Sequence, residues 1–210
     1  MNSVAGIVLA AGGSSRLGSP KQLVSFQGES LVHRAARTVV EAGCDPVVVV
    51  LGAEAERIRP ELDDLQIRSV INNGWPEGIS TSIQTGLEEI GNAEAVLIVL
   101  CDQPGVNSLH LRDLMARFHA AGLSIAASRY RGVIGVPAVF AQSIYPELAA
   151  LSGDTGARRV ISRDAGRVVI FDLPQAGTDL DTPEDLLLLS TIDFTKNEVQ
   201  TSDDGDHIGD

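Results

Sequence analysis

The sequence predicts an α/β fold, a doubly wound and mainly parallel sheet held between helices as three layers, α/β/α. Three observations predict it. Short apolar runs recur along the chain, amphipathic helical periodicity fills most of the gaps between them, and the runs are continuous and β-branched instead of alternating with polar residues. Continuous runs belong to strands that helices cover on both faces.

Taken in order, Val4-Ala5-Gly6-Ile7-Val8-Leu9-Ala10 is too short to span a bilayer and is closed by Gly12-Gly13, so it reads as a buried strand emptying into a loop. Pro20 disfavours helix at Ser19 and keeps that loop irregular through Lys21. Leu31, Ala35, Val39 and Val40 share one face of a first helix, followed by strands at Val47 to Leu51 and Ile67 to Ile71. Asn72 to Gly78 reads as a turn carrying Trp75, a core aromatic, into a serine-rich helix with Ile79, Ile83 and Leu87 on one face. Val96 to Leu100 is a strand that Pro104 brings to an end. Leu111, Leu114, Met115 and Phe118 mark a third helix, and strands follow at Leu123 to Ala127, Val133 to Phe140 and Val168 to Phe171. Gly153-Asp154-Thr155-Gly156 reads as a turn with Asp154 as a helix N-cap, and Thr182 or Asp181 can cap a last helix with Pro183 in its first position and Asp185 as the capping-box acid.

With 210 residues, 44% of them hydrophobic, the chain suits one well-buried domain, expected over residues 1–195. From Lys196 the sequence turns polar, with five acids against one lysine, so residues 196–210 are expected to be a disordered tail. A net charge of −12 argues against nucleic acid or an anionic membrane as partner. Cys44 and Cys101 have neither zinc nor disulfide-framework spacing and read as buried thiols in a reducing cytoplasm. The amino terminus lacks a basic segment ahead of an apolar core, and a soluble, cytoplasmic protein is expected.

The loop after the first strand concentrates anion-binding chemistry. Gly12 and Gly13 let backbone N–H groups approach an anion, Ser14 and Ser15 add hydroxyls, and Arg16 and Lys21 add positive charge in an otherwise acidic chain. Gly12-Gly13-Ser14-Ser15-Arg16-Leu17-Gly18 is not the dinucleotide fingerprint, and Gly18-Ser19 is not the Gly-Lys of a P-loop. Asp102 stands where a buried strand ends, on the edge to which the loop belongs, and extended geometry points the carboxylates of Asp179 and Asp181 the same way. Mg²⁺ takes a few carboxylates plus phosphate oxygens, so Asp102 with Asp181 beside a triphosphate makes a sensible site.

The segment from Leu9 to Lys21 resembles the opening motif of the MobA-like nucleoside triphosphate transferases. The resemblance implies a nucleotidyltransferase sheet of Rossmann-like type, with Leu9, Ala10, Ala11, Gly12, Gly13, Ser14, Ser15, Arg16 and Lys21 holding the nucleotide; Ala11 is similar to the cytidine branch, whose acceptor is molybdopterin. Asp179 to Asp185 resembles the family's D-x-D-T-P-E-D, and the family pattern assigns the metal, Mg²⁺, to Asp102 and Asp181. Asn72 to Ser82 resembles a further nucleotide-side motif, which adds Gly78 and Ser82, with Ser80 less favoured, and Gly153 to Arg158 resembles one on the acceptor side. The departure is Gly135-Val136-Pro137, where relatives that modify molybdopterin have histidine in place of Val136.

The expectation is therefore transfer of CMP from CTP to a phosphorylated acceptor with release of pyrophosphate, with Arg16, Lys21 and Asp102 as the catalytic groups and a molybdenum enzyme as a candidate recipient of the product. An ionised phosphate nucleophile needs no general base, and none of His33, His110, His119 and His207 stands in a catalytic context. The alternatives are transfer to a sugar phosphate or other alcohol phosphate, and a non-catalytic nucleotide sensor or chaperone of a molybdenum enzyme.

Overall fold

The computed structural model describes residues 3–14 and 18–177. Its strands are β1 (Val4–Ala10), β2 (Ser25–Phe26), β3 (Glu29–Ser30), β4 (Val47–Leu51), β5 (Arg68–Ile71), β6 (Ala95–Leu100), β7 (Ile125–Tyr130), β8 (Val133–Ala141) and β9 (Val168–Asp172). The α-helices are α1 (Leu31–Glu41), α2 (Ala55–Ile58), α3 (Ile79–Glu89), α4 (Ser108–Ala121), α5 (Tyr145–Ala149) and α6 (Arg158–Ser162). Seven strands form one sheet in the order β5-β4-β1-β6-β8-β7-β9, while β2 and β3 make a separate two-stranded ribbon.

The sheet is mainly parallel, as predicted, with one exception. β8 runs antiparallel to both β6 and β7, and the remaining pairs are parallel. The cause lies in the connection: β7 and β8 are joined by Arg131-Gly132, both at positive φ (47° and 74°). A two-residue turn of that kind can only reverse the chain, because a parallel partner needs a crossover many residues long. The β2–β3 ribbon escapes periodicity because its strands are two residues each.

Both sheet faces are buried. Val8, Val49, Leu97 and Val99 point to the layer of α1 and α4, while Ile7, Val48, Val50, Val96 and Ile98 point to Ile83 of α3, Leu148 of α5 and Val160 of α6. Each such side chain removed from water contributes about 1.5–3 kcal/mol, which is why the strands read as unbroken apolar runs. Ser30 caps α1 by accepting from the His33 N–H, and Gly122 ends α4 in the left-handed conformation. Among the described residues no helix is long and apolar enough to cross a membrane. The expected domain end at 195 and the acidic tail of 196–210 lie outside the described residues.

Candidate active site

β1 and β6 are neighbours in register, with Leu9 opposite Leu100, so the chain leaves both strands at the same sheet edge. The Cys101 N–H donates to the Leu9 carbonyl (3.3 Å), which continues the pairing one step and delivers Asp102 beside the glycine loop. On the other side of β1, the Ala53 N–H donates to the Ala11 carbonyl (3.1 Å). Parallel strand ends are where ligands bind in open α/β sheets.

Pro20 leads into one 3₁₀ turn, Lys21–Leu23, so helical structure begins at Lys21, one residue earlier than the sequence predicts. The turn aims consecutive side chains at different targets. Lys21 forms an ion pair with Asp102 through Nζ and Oδ2, both side chains largely buried at 17% and 11% exposure. The second carboxylate oxygen of Asp102, Oδ1, is buried with no hydrogen-bond partner among the described residues. A buried carboxylate oxygen without a donor is costly unless a cation or polar ligand completes it, so the position suits a hard divalent cation. No group of three or more His, Cys, Asp or Glu side chains that could hold a metal ion occurs among the described residues, so a cation at Asp102 would need further ligands from phosphate, water or residues beyond them.

The facing wall is the Asn72–Ser82 segment. Asn72 is buried; its Nδ2 donates to Thr81 Oγ1 (2.8 Å) and Ser82 Oγ (3.0 Å), and its Oδ1 accepts from the Gly74 N–H (2.9 Å). Ser82 accepts that bond and keeps its hydroxyl proton, for which no acceptor is present among the described residues. Gly78 opens α3 at φ 116°, and a Cβ there would stand 2.3 Å from the Gly153 carbonyl carbon. The Ser80 N–H donates to that same carbonyl group (3.2 Å), so the Gly153-Asp154 turn is clamped onto the start of α3.

These pieces enclose an open cleft of about 390 Å³, lined by Leu9, Ala10, Ala11, Gly12, Gly13, Lys21, Gln22, Trp75, Pro76, Gly78, Ile79, Ser82, Leu100, Cys101, Asp102 and Asp154. A second cavity of about 360 Å³ adjoins it, sharing Leu9, Ile79 and Leu100 as a floor. Its walls add Ile83, Val133 and Val136, with Tyr130, Arg131 and Arg158 as the polar groups. The Tyr130 hydroxyl donates to the Val136 carbonyl (2.9 Å) and fixes that wall.

Of the residues the sequence singles out, Leu9, Ala10, Ala11, Gly12, Gly13, Lys21, Gly78, Ser82 and Asp102 meet at this cleft. Ser14 stands next to it, its hydroxyl accepting from the Lys21 N–H (2.9 Å), whereas Ser80 is buried away from the cleft lining. Ser15, Arg16, Asp179 and Asp181 lie outside the described residues. Two expectations need correction, Trp75 and Asp154. Trp75 is not a core aromatic: it is 37% exposed and forms part of the cleft wall. The indole also packs against Gly13, where a Cβ would lie 3.0 Å from the Trp75 ring, while a Cβ on Gly12 meets nothing within 4 Å. Asp154 caps no helix, since α6 begins at an Ala157 N-cap without a side-chain bond, and its exposed carboxylate instead lines the cleft.

Sequence reasoning missed Gln22, Asn72 and Gln103. Gln103 is buried beside Asp102, and its Nε2 donates to the carbonyls of Val136 (3.3 Å) and Ala176 (2.9 Å), tying the Asp102 loop to the second cavity's wall. A polar side chain directly after a strand-end acid or phosphate-loop lysine is the one signal that pointed to Gln22 and Gln103. Two of the histidines have structural partners: His33 bridges Glu29 (2.9 Å) and Asp64 (3.2 Å), and His110 completes the α4 capping box with Asn107, whereas His207 lies outside the described residues. Burial pushes both thiols up to about 12, with the Asp102 charge adding to the effect at Cys101.

A sheet whose parallel edge presents a glycine loop, a lysine and a strand-end aspartate has the groups to hold a nucleotide's phosphates. The chain belongs to the MobA-like NTP transferase domain family, whose model matches residues 6–168. It is 32% identical over 197 residues to the nicotine blue oxidoreductase of Paenarthrobacter nicotinovorans, covering 89% of this chain and 96% of that protein. It is 32% identical over 138 residues to the probable molybdenum cofactor guanylyltransferase of Bacillus cytotoxicus, covering 64% and 68% respectively. Among solved structures it is similar to the Mycobacterium sp. strain JC1 homologue of Rv0371c, with a TM-score of 0.77 at 32% identity over 90% of this chain and 96% of that one. It is also similar to Rv0371c of Mycobacterium tuberculosis H37Rv in complex with manganese, with a TM-score of 0.70 at 27% identity over 89% and 97%.

Proposed function

We propose that the protein transfers CMP from CTP to a phosphorylated acceptor, molybdopterin, and releases pyrophosphate. The observation that carries the reading is the meeting of Lys21 and the half-satisfied Asp102 at the rim of the glycine-loop cleft. Cytidine is favoured by Ala11 through the resemblance to the cytidine branch; the guanylyltransferase relative makes the choice of base the first point to measure. The acceptor class is favoured by the second cavity. Its lining is mostly aliphatic, with two guanidinium groups, which suits a flat ring bearing a phosphate better than a sugar, whose hydroxyls would each need a partner.

The acceptor's phosphate oxygen forms the new bond to the α-phosphorus while the bond from that phosphorus to the bridging oxygen breaks, its electron pair leaving with pyrophosphate. Lys21, held in place by Asp102, stabilises negative charge at the transferring phosphate, and Arg16 adds a second cation. Ser82 and the turn before α3 hold the nucleotide's far end, and the nucleophile is already ionised, so no side chain removes a proton. Asp102 and Asp181 would hold Mg²⁺, and the ion would neutralise phosphate charge. We place the chemistry in one cytoplasmic domain of residues 1–195 followed by an acidic tail, without nucleic acid or membrane as partner, and with a molybdenum enzyme as recipient of the product.

Pyrophosphate release measured with each of the four common triphosphates, Mg²⁺, and molybdopterin or a sugar phosphate as acceptor tests the proposal. Release with CTP and molybdopterin is expected. Release that requires GTP or a sugar phosphate would overturn the base or the acceptor, and nucleotide binding without turnover by any pair would overturn the enzyme reading of this cleft.

A further inference from the structure

We propose that Gln22 is the positioning residue that holds the glycine loop in its nucleotide-binding form; the inference rests on the reading of the cleft as a nucleotide site. Gln22 is 1% exposed, and every polar atom of its amide is used on the loop. Nε2 donates to the carbonyls of Ala10 (2.8 Å) and Gly12 (2.7 Å), and Oε1 accepts from the Ser14 hydroxyl (3.3 Å). Ser14 itself sits at φ 49°, in the left-handed region that a residue with a side chain rarely adopts, and its hydroxyl is held from the other side by the Lys21 N–H.

The consequence follows from peptide geometry. In a planar trans peptide the carbonyl and the next N–H point in opposite directions, so drawing the Ala10 and Gly12 carbonyls toward Gln22 turns the N–H groups of Ala11 and Gly13 away from it. The Ala11 carbonyl, between them, is taken by Ala53 from the β4 side. Alternate peptides are thereby fixed in opposite senses, and the Gly13 N–H is left without an acceptor among the described residues. Such a donor, on a loop lining the cleft, is available to a phosphate or a base edge. Only a neutral amide of this length can donate twice and accept once here: a glutamate loses both donors when ionised, and a leucine leaves both carbonyls unpartnered.

Because Lys21 and Gln22 are consecutive in one 3₁₀ turn, the ion pair to Asp102 and the clamp on the loop are set together. Among the described residues the Gln22 side chain bonds only to the loop and acts through it.

Calorimetric titration of the full chain with CTP and Mg²⁺, alongside Gln22→Glu and Gln22→Leu, tests the role, with a thermal melt confirming that each variant is folded. Loss of the clamp is expected to raise Kd about tenfold or more in both variants at pH 8. A protonated glutamate regains one donor, so the Kd ratio of Gln22→Glu to wild type should fall as the pH is lowered to about 6, whereas the ratio for Gln22→Leu should stay flat. A residue that served stability alone would lower the melting temperature while the folded fraction bound nucleotide normally, and that result overturns the proposal. Should either Gln22 variant fail to fold, Ser14→Ala, which removes the third anchor, is expected to weaken binding about threefold, and an unchanged Kd overturns the proposal just as well. If wild type bound none of the four triphosphates, the nucleotide reading itself would fall and this inference with it, a result distinguishable from wild-type binding matched by the variants.

Discussion

Gly78→Ala tests the clamp between the start of α3 and the Gly153-Asp154 turn. At φ 116° an alanine is strained before any contact is considered, which costs about 1–3 kcal/mol. The added Cβ would then stand 2.3 and 2.4 Å from the Gly153 carbonyl carbon and oxygen and 2.6 Å from the Asp154 nitrogen. These are backbone atoms with no rotamer to yield, so overpacking adds about 1–3 kcal/mol, and the Ser80 bond to Gly153 is lost as the turn moves away. A total near 4 kcal/mol corresponds to a fall of about 10 °C in Tm for a chain of this size. Differential scanning calorimetry reads it, with Gly12→Ala as the control, since a Cβ there meets nothing within 4 Å and φ is not in the left-handed region. If Gly78→Ala melted within about 2 °C of wild type, the clamp between the α3 turn and the Asp154 turn would not exist as described.

Replacing Lys21 with methionine should lower kcat about a hundredfold in a pyrophosphate-release assay while the circular dichroism spectrum stays that of wild type; unchanged kinetics would remove Lys21 from the catalytic groups. Asp102→Asn should fold and yet lose Mn²⁺ binding followed by paramagnetic resonance, and retained affinity would move the metal elsewhere. Against its burial, the hydrogen bonds from Arg37, His33 and Arg34 and the Arg37 charge bring Glu29 down from 4.5 to about 2. Since the folded value lies below the unfolded one, its stabilisation is complete above about pH 4.5 and is lost as pH falls toward 2; Glu29→Gln should cost roughly 2 kcal/mol at pH 7, allowing for solvent screening, and flatten the acid limb of a stability-against-pH series. Cys44 and Cys101 are buried thiols held near 12, so a thiol reagent at pH 8 should label neither until denaturant is added; prompt labelling of the native chain would contradict their burial.

The parts of the fold legible in the sequence are those whose cause is local. A continuous apolar run means a strand buried on both faces, as in β1, β4 and β6, and the half-buried edge strands β5 and β9 are legible too because each still carries a short apolar run, as are β7, β8, α1, α3 and α4. The reversal of β8 is not legible, because apolar pattern carries no direction and the apolar run ends at Ala127; only in the structure does β7 continue through Ser128, Arg129 and Tyr130, which leaves the two-residue turn Arg131-Gly132. Trp75 was misplaced for a similar reason: hydrophobicity predicts that an indole will be covered, and here Gly13 covers one edge of it while the rest faces the cleft.

By itself the sequence determined the chemistry at hand: a glycine loop at a strand end, a lysine after it, and an aspartate at the end of another strand. Only the tertiary structure decided that these groups belong together, since Lys21 and Asp102 are 81 residues apart and meet because β1 and β6 are adjacent and in register. It alone also revealed what Gln22 does, for a buried amide in a sequence does not say which carbonyls it will reach. Covalent order sets which groups exist and how each short segment is built; the distance between segments is set by strand pairing and by the burial that drives it.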